Sequence, residues 1–290
     1  MSNNASILAI FVSLILGILI AFTGSQNSVI TNGYPLFAIC AVIGFLLHWT
    51  IFIPSFAFQT EHYFDLTGSV SYLAVILFAL TNKPDQDLRA ILLCSLVIIW
   101  AIRLGSFLFT RVKKDGKDNR FTIMKTKFWW FLMTWTIGGL WVLFTLAAAL
   151  AAITSNATAT FGAPALIGLL FWIFGFSIEV IADKQKTAFR SKKENKQLFI
   201  RTGLWKWSRH PNYLGEITLW FGVALIAYPV LSSWQLLTLI SPLFVYILLT
   251  RVSGMNILEA RADKKWENDM DYIQYKESTP ILFPRNLKNN

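Results

Sequence analysis

Charged residues are scarce in this chain. They account for 14% of its 290 residues, and apolar residues account for 55%, whereas a typical soluble domain carries about 25% charged residues. This shortage excludes the one or two soluble domains that the length alone would allow. No alternation of apolar and polar residues over segments of about ten residues is evident, so a transmembrane β-barrel is not expected.

Cysteine is nearly absent. The two cysteines, Cys40 and Cys94, both lie inside apolar runs. This excludes a disulfide framework, and no Cys/His spacing suggests a metal site. Both thiols are predicted to be buried packing residues.

The common nucleotide-binding and metalloprotease motifs are also missing. The sequence has no G-x-G-x-x-G after a strand, no Walker A lysine motif and no H-E-x-x-H. A dinucleotide would therefore be held without a Rossmann fold, by helix ends and by Arg and Lys side chains.

The chain has instead many apolar runs of about 20 residues, the length that crosses a bilayer as a helix. Eight such runs are present, at residues 6–22, 34–56, 64–80, 88–109, 128–153, 161–182, 213–228 and 234–250. They predict an all-α, multi-pass transmembrane helical bundle. The third and seventh runs are short and could be tilted or re-entrant. The first has few charges before it and no clear cleavage site, so it is predicted to be a retained helix.

The net charge of +10 is distributed unevenly. Seven, nine and seven of the 26 Lys and Arg residues fall in the segments 111–127, 184–209 and 251–288, whereas the loops 24–33, 154–160 and 229–233 carry no charge. With eight spans, all three basic segments lie on one side of the membrane. The positive-inside rule then predicts cytoplasmic termini, in a bacterial inner membrane or the endoplasmic reticulum, and explains the charge without a nucleic-acid partner.

Charged residues inside the apolar runs are candidates for function. Glu179, Asp183, Lys186 and Arg190 follow one another at i, i+4, i+7 and i+11, which places them on one helical face. Glu179 lies a full turn inside the sixth run, where a carboxylate needs a partner or a polar cavity. Two interpretations stay open for Arg103 in the fourth run: it snorkels to the interface, or it pairs with an acidic residue or a bound anion.

A second polar group joins the second and third apolar runs. It contains Glu61, His62, Asp65 and Tyr72. One interpretation is a short solvated loop, and the other is a source of a proton near neutral pH. His48, alone on an apolar helix, is predicted to be a hydrogen-bonded packing residue.

The most informative segment is 203–220, GLWKWSRHPNYLGEITLW. Pro211 suits the first position of a helix, where its missing N–H costs nothing. Asn212, Glu216 and Trp220 then share one helical face, with Tyr213 beside it. A carboxylate at the start of a span requires a partner, so this face is predicted to bind a ligand together with the adjacent Arg209 and His210.

This segment, together with the upstream acidic stripe, resembles the steroid 5-alpha-reductase-like membrane family in its DUF1295 branch. The wider superfamily includes sterol reductases and isoprenylcysteine carboxyl methyltransferases. The resemblance is strongest over 178–284 and weaker over 99–121. It divides the chain into N-terminal transmembrane helices (1–90) and a cofactor-binding membrane domain (91–290).

The resemblance implies an NADPH site on the cytoplasmic half of the bundle. The residues that it places in this site are Arg103, Glu179, Asp183, Arg190, Arg209, His210, Asn212, Tyr213, Glu216, Trp220 and Arg261. Two departures stand out. Arg261 and Lys265 replace a His and a Tyr of the C-terminal helix, and Trp100 falls near the Tyr of the catalytic pair. Glu61, Asp65 and Tyr72 are then the candidates for the proton donor.

The leading functional expectation is NADPH-dependent reduction of a C=C bond in a lipid-soluble, steroid- or isoprenoid-like substrate. An S-adenosylmethionine-dependent methyltransferase of the isoprenylcysteine type is the alternative, because that family shares an Arg-His-Pro-x-Tyr motif and an acidic C-terminal helix, which Glu259 could echo. The pair Asn212 and Glu216 favours the reductase.

Trp100 keeps open a third possibility, a lipid-binding membrane protein without catalysis. Membrane lipids are expected neighbours, and no oligomeric state is predicted.

Overall fold

The computed structural model describes residues 1–115 and 121–284, and most of its regular structure is α-helix. The helices are α1 Asn3–Gly24, α2 Leu36–Ala57, α3 Phe64–Asn82, α4 Leu88–Asp115, α5 Phe128–Thr154, α6 Ala163–Ser191, α7 Pro211–Ala227, α8 Ser241–Ile247, α9 Met255–Trp266 and α10 Met270–Ser278. The predicted basic segments also include Lys117, Arg120, Arg285 and Lys288, which lie outside the described residues.

Eight helical segments among the described residues are long and apolar enough to cross a membrane. They are Asn3–Gly24, Leu36–Ala57, Phe64–Asn82, Leu88–Thr110, Phe128–Thr154, Ala163–Ser191, Pro211–Val230 and Ser233–Trp266. The prediction of an all-α, multi-pass transmembrane bundle of about eight spans is therefore confirmed. The third and seventh segments, at 19 and 20 residues, have about the length that a span requires.

Two of the spans end at least two helical turns after their apolar runs, whereas the others end within two residues of theirs. Helix α6 continues beyond residue 182 to Ser191, so the whole charged stripe lies on a helix. The eighth span continues from α8 through a π-helical segment, Leu248–Val252, into α9. Both extensions are amphipathic or polar, and a helix that leaves the bilayer does not need apolar residues on every face.

The chain divides into two compact units. Unit 1 comprises Met1–Leu166 and Ala224–Ser241, and unit 2 comprises Ile167–Val223 and Pro242–Asn290. This division describes packing, whereas the boundary predicted near residue 90 rests on sequence resemblance and stays a prediction.

Helix α5 forms the interior of unit 1. Residues 138–154 of this helix are nearly all buried, with α1, α2 and α3 packed against it. Small residues make this close packing possible: a methyl group added at Gly139 would lie 2.9 Å from the Phe45 ring, and the segment 147–152 is mainly alanine. Small residues are what helices in a membrane use to approach one another.

The three uncharged loops of the sequence meet at one end of unit 1. The Val29 amide donates a hydrogen bond to the Thr154 carbonyl (2.7 Å), and the Asn156 amide donates one to the Asn27 carbonyl (2.9 Å). The Ser155 hydroxyl donates to the Val230 carbonyl at 3.2 Å. A short hairpin of β1 Ile30–Thr31 and β2 Tyr34–Pro35 lies in the first loop. In the eight-span topology, these three loops lie on the same side of the membrane.

Unit 2 is organised around a crossing of α6 and α7 at glycines. A methyl group added at Gly175 would lie 2.5 Å from the Gly215 carbonyl oxygen, and one added at Gly222 would lie 2.4 Å from the Gly168 carbonyl oxygen. The two helices are therefore antiparallel, with their backbones in direct contact. A methyl group at Gly215 would also come within 2.6 Å of the Glu179 nitrogen, so the crossing places Glu179 against the first turns of α7.

Candidate functional site

The segment that begins at Gly203 is held against the end of α6. Gly203 has φ +63°, which favours glycine, and a methyl group there would lie 2.5 Å from the Gln185 side chain. The Leu204 amide donates to the Gln185 Oε1 atom at 3.0 Å. The Trp205 indole N–H donates to the Ala182 carbonyl at 3.1 Å. The polar end of α6 and the motif are therefore neighbours.

The turn that follows is held by the C-terminal segment. The Arg209 amide donates to the Pro280 carbonyl at 3.0 Å, and the His210 amide donates to the Ser208 hydroxyl at 3.2 Å. The Tyr275 hydroxyl donates to the Trp205 carbonyl at 2.6 Å. Helix α7 begins at Pro211, as predicted. Residues 208–211 thus have a defined geometry before any ligand is considered.

A single carboxylate, Glu259, binds both basic residues of the motif. Its Oε1 atom lies 2.8 Å from the His210 Nε2 atom, and its Oε2 atom pairs with the Arg209 Nη1 atom. The three side chains are mostly buried, with exposed fractions of 17%, 6% and 12% for Glu259, His210 and Arg209. The Tyr213 ring stacks on the His210 ring, with centroids 5.5 Å apart and planes 15° apart.

Glu259 is absent from the predicted site residues. Two adjacent basic side chains at a membrane boundary indicate that an acid is nearby, because buried charges are paired. The C-terminal helices offer Glu259, Asp263 and Glu267 as partners. Sequence spacing does not choose among them, because the choice depends on how α9 packs on the motif.

Three polar atoms of this turn are buried and have no hydrogen-bond partner among the described residues: Arg209 Nε, His210 Nδ1 and Asn212 Oδ1. Each unmet buried group costs about 1–3 kcal/mol. A ligand with complementary groups would remove that cost. The clustering of such atoms in four consecutive residues therefore marks this turn as a candidate binding site.

Burial lowers the pKa of His210, and the nearby Lys186 and Arg209 charges lower it further, whereas Glu259 raises it. The net direction is downward, so His210 is a neutral imidazole near neutral pH. A neutral ring has one N–H donor and one bare acceptor nitrogen.

The predicted acidic stripe lies along α6 beside this turn. Glu179 and Asp183 are buried, Lys186 Nζ lies 4.4 Å from the centroid of the Trp205 ring, and Arg190 is exposed in the last turn of the helix. On α7, Glu216 is half-buried and Trp220 is fully buried. The structure thus brings these residues into one unit with the motif.

An open cleft of about 520 Å³ adjoins the motif on the side of the C-terminal helices. Its lining consists of Arg209, Asp263, Glu267, Tyr272, Ile273, Lys276 and Glu277. Asp263 accepts hydrogen bonds from the Tyr272 hydroxyl (2.8 Å) and from Lys276 Nζ (2.6 Å). Arg209 belongs to both the motif and this cleft.

Two residues of the C-terminal segment, Arg261 and Lys265, were singled out by the family resemblance. Arg261 is exposed on α9 and has no hydrogen bond or ion pair with motif residues within the described part of the chain. Lys265 donates to the Lys196 carbonyl at 3.1 Å and lies 4.6 Å from the Trp266 ring centroid. The role predicted for Arg261 in the cofactor site stays a prediction.

The predicted proton donors belong to unit 1. Glu61 is buried and forms a 2.5 Å ion pair with Lys125, so it is not part of a solvated loop. Asp65 is half-buried in the first turn of α3. Tyr72 is buried with its ring perpendicular to the ring of Trp100 at 5.0 Å.

Five further residues of the sequence analysis also lie in unit 1. The Arg103 guanidinium lies 5.3 Å from the centroid of the Phe107 ring, one turn along α4. His62 is exposed and bonds to the Thr60 hydroxyl at 2.9 Å. His48 is buried and donates from Nδ1 to the Gly44 carbonyl at 2.9 Å, as a packing residue does. Cys40 and Cys94 are buried free thiols, as predicted.

The described residues contain no group of three or more His, Cys, Asp or Glu side chains that could hold a metal ion. Comparison with curated proteins and with solved structures gives no match. A family model described as "Protein of unknown function (DUF1295)" matches residues 51–279. This match covers well over half of the chain and includes both the α6 stripe and the Arg209–His210 turn, and the chain therefore belongs to the DUF1295 family.

Proposed function

We propose that this chain is an integral membrane reductase that uses NADPH to reduce a C=C bond of a lipid-soluble, steroid- or isoprenoid-like substrate. The observation that carries the proposal is the set of buried polar atoms without partners in residues 209–212. They occur in the segment with the strongest resemblance to steroid 5-alpha-reductase-like proteins. Membership of the DUF1295 family agrees with a membrane protein of this kind.

The chemistry of these atoms fits a dinucleotide. Arg209 Nε is a hydrogen-bond donor, whereas His210 Nδ1 and Asn212 Oδ1 can act as acceptors. Lys186 and Arg190, on the neighbouring stripe of α6, supply positive charge for phosphates, and arginine is suited to forked phosphate recognition. NADPH, when bound, supplies the hydride. The role of the chain is to bind the cofactor, orient it and keep water out.

Reduction of a C=C bond also consumes a proton, and we assign its delivery to Tyr72. Lys125 pairs with Glu61, which favours the ionised carboxylate, and an ionised carboxylate has no proton to give. Tyr72 retains a phenolic O–H in a buried environment, and its ring contacts the ring of Trp100. Trp100 falls near the position where the resembling reductases have their tyrosine. Tyr72→Phe should abolish turnover of an identified substrate and leave NADPH binding intact.

A methyltransferase is the second candidate, favoured by one specific observation. Glu259, in the C-terminal acidic region, binds both Arg209 and His210, and the isoprenylcysteine methyltransferases combine an Arg-His-Pro-x-Tyr motif with an acidic C-terminal helix. A methyltransferase would bind S-adenosylmethionine in place of NADPH at this turn.

The deciding experiment identifies the nucleotide that binds. The protein is purified in mild detergent, denatured, and the released small molecules are identified by mass spectrometry. Titrations with NADPH and with S-adenosylmethionine then follow, with His210→Phe as the site variant and Glu194→Gln, exposed on a 3₁₀ turn, as the matched control. NADP(H) binding that His210→Phe weakens supports the reductase. Binding of S-adenosylmethionine alone supports the methyltransferase, and binding of neither favours a lipid-binding protein without catalysis.

We further propose that this turn and both termini lie on the cytoplasmic side. The basis is the positive-inside rule applied to the three basic segments. Cysteines introduced at Ile30, Ala157 and Ser232 should react with a membrane-impermeant reagent added outside, whereas one at Asn195 should not. Positions 117 and 288 should also be protected, and both lie outside the described residues. The opposite pattern would reverse the orientation.

A further inference from the structure

The ring nitrogen of His210 that carries the proton follows from the position of Glu259. A carboxylate accepts hydrogen bonds and does not donate them. Glu259 Oε1 lies 2.8 Å from His210 Nε2, so Nε2 carries the hydrogen. The ring is neutral because burial outweighs the effect of Glu259 on the pKa of His210. His210 Nδ1 is therefore a bare acceptor, and it is buried with no partner among the described residues.

We propose that Glu259 is a positioning residue that fixes His210 in its Nε2–H tautomer, so that His210 Nδ1 accepts a hydrogen bond from an N–H group of the bound cofactor. The assignment of the tautomer rests on the geometry of the Glu259–His210 contact. The recognition of a cofactor N–H group rests on the proposed function, because it takes the ligand to be a nucleotide cofactor.

The neighbouring atoms indicate the chemistry of the group that His210 recognises. Asn212 Oδ1 is a second unpartnered acceptor, and Arg209 Nε is an unpartnered donor. An amino or primary amide group offers N–H donors that suit the two acceptors. A phosphate does not fit His210 Nδ1, because both would be acceptors. The charge of Arg209 is also already paired with Glu259, so this turn suits a neutral group.

Two parts of NADPH carry such N–H donors: the carboxamide of the nicotinamide ring and the amino group of adenine. The acceptor at His210 Nδ1 is complementary to either of them. Two cofactor analogues separate the possibilities. In the 3-acetylpyridine analogue of NADP⁺ a methyl group replaces the amide nitrogen, and in the hypoxanthine analogue an oxygen replaces the adenine amino group.

The tautomer is measured without any cofactor. The chain has three histidines, His48, His62 and His210, so ¹⁵N labelling of histidine gives few ring signals, and His210→Phe identifies those of His210. In the wild-type protein near neutral pH, the hydrogen should reside on Nε2. In Glu259→Gln both tautomers should appear, because an amide can accept or donate, whereas Glu259→Asp should restore the Nε2–H form. A hydrogen on Nδ1 in the wild type would overturn the inference.

The recognition is measured by comparing the affinities of NADP⁺ and the two analogues. One analogue should bind the wild-type protein about tenfold more weakly than NADP⁺, because it leaves the His210 acceptor unpaired. The analogue that loses affinity identifies the recognised group. In Glu259→Gln this preference should shrink, and in the control Glu194→Gln it should stay.

Equal affinities of NADP⁺ and both analogues for the wild-type protein would overturn the recognition by His210. A wild-type protein that binds no NADPH at all would instead overturn the proposed function. The nitrogen signals of His210 would then still decide whether Glu259 fixes the tautomer, so the two failures are distinguishable.

Discussion

Two carboxylates, the buried Glu61 of unit 1 and the mostly buried Glu259 of unit 2, form ion pairs with different consequences. Glu61 pairs with Lys125, 64 positions later in the chain, and this bridge ties the start of α3 to the segment before α5. Glu259 is shared by Arg209 and His210, and each of these keeps a buried polar atom without a partner among the described residues. The first pair connects segments, whereas the second orients groups that still have unused hydrogen-bonding capacity.

This difference indicates how to distinguish structural from ligand-binding charge in a membrane protein. Burial and ion pairing alone do not separate the two cases, because both acids have them. The distinguishing feature is whether the partners of the acid retain unpaired atoms. Buried polar groups are normally satisfied, so a cluster of unmet atoms around one ion pair indicates that a ligand completes it.

The largest effect should come from removing the acid of each pair. Glu259→Leu leaves Arg209 charged and 12% exposed, whereas Glu61→Leu leaves Lys125, which is 24% exposed and reaches water more easily. Breaking a buried pair costs about 3–5 kcal/mol, so Glu259→Leu should approach that loss and Glu61→Leu should lose roughly 1–2 kcal/mol, nearer the range of exposed pairs.

Thermal unfolding of both variants in the same detergent measures this contrast. The double variants Glu259→Leu/Arg209→Leu and Glu61→Leu/Lys125→Leu are the controls, since each should regain stability by removing the orphaned charge. Equal losses in the two single variants would show that the pairs are equivalent and would remove the basis of the comparison.

The next largest effect concerns glycines, which also differ between the units. A methyl group at Gly215 of unit 2 would lie 2.5 Å from the Gly175 carbonyl oxygen, whereas one at Gly44 of unit 1 would meet only the Val75 side chain at 3.8 Å. Gly215→Ala should therefore separate α6 from α7 and cost about 1–3 kcal/mol. Gly44→Ala should be neutral or stabilising by up to about 1 kcal/mol, because alanine favours helix.

Unfolding temperature and NADPH affinity should fall together in Gly215→Ala, because the crossing places Glu179 against the start of α7. Gly44→Ala should change neither. A stable Gly215→Ala protein with unchanged affinity would show that α6 and α7 tolerate separation at this point.

The spans could be predicted from sequence because length and apolarity are local properties. The start of α7 could be predicted from a local property too, because Pro211 suits the first position of a helix. The glycines at 168, 175, 215 and 222 recur at seven-residue spacing on both helices, a signal of close packing that the sequence contains.

The partners of the acids could not be predicted in this way. Glu259 lies about 50 positions from Arg209 and His210, and Glu61 lies 64 positions from Lys125. Several acids compete for each base in the sequence, and only the packing of distant helices selects one. The interior position of α5 could not be predicted either, because the apolar run of α5 differs from the other runs mainly in its small residues.

A third effect tests whether the α6 stripe acts as a site or only as surface charge. Arg190 and Lys193 are both exposed and only three positions apart, but Arg190 continues the face of Glu179 and Asp183. Arg190→Ala should weaken NADPH binding about tenfold or more, since a charge-assisted hydrogen bond to phosphate contributes about 1.5–3 kcal/mol. Lys193→Ala should have a small effect that disappears as salt is raised. Equal losses in a titration would mean that the stripe offers only general positive charge.

The smallest expected effect concerns Glu216, which shares a face of α7 with Asn212 and with the fully buried Trp220. Glu216→Gln keeps the size of the side chain and one acceptor oxygen but removes the charge. We expect a folded protein whose NADPH affinity or hydride-transfer rate falls roughly threefold to tenfold, since one hydrogen bond is weakened and not lost. Glu194→Gln makes the same chemical change on an exposed 3₁₀ turn and should leave both quantities unchanged. If Glu216→Gln also binds NADPH and reduces substrate like the wild type, Glu216 contributes to the helix packing only, and the ligand face of α7 is limited to Asn212 and the turn before it.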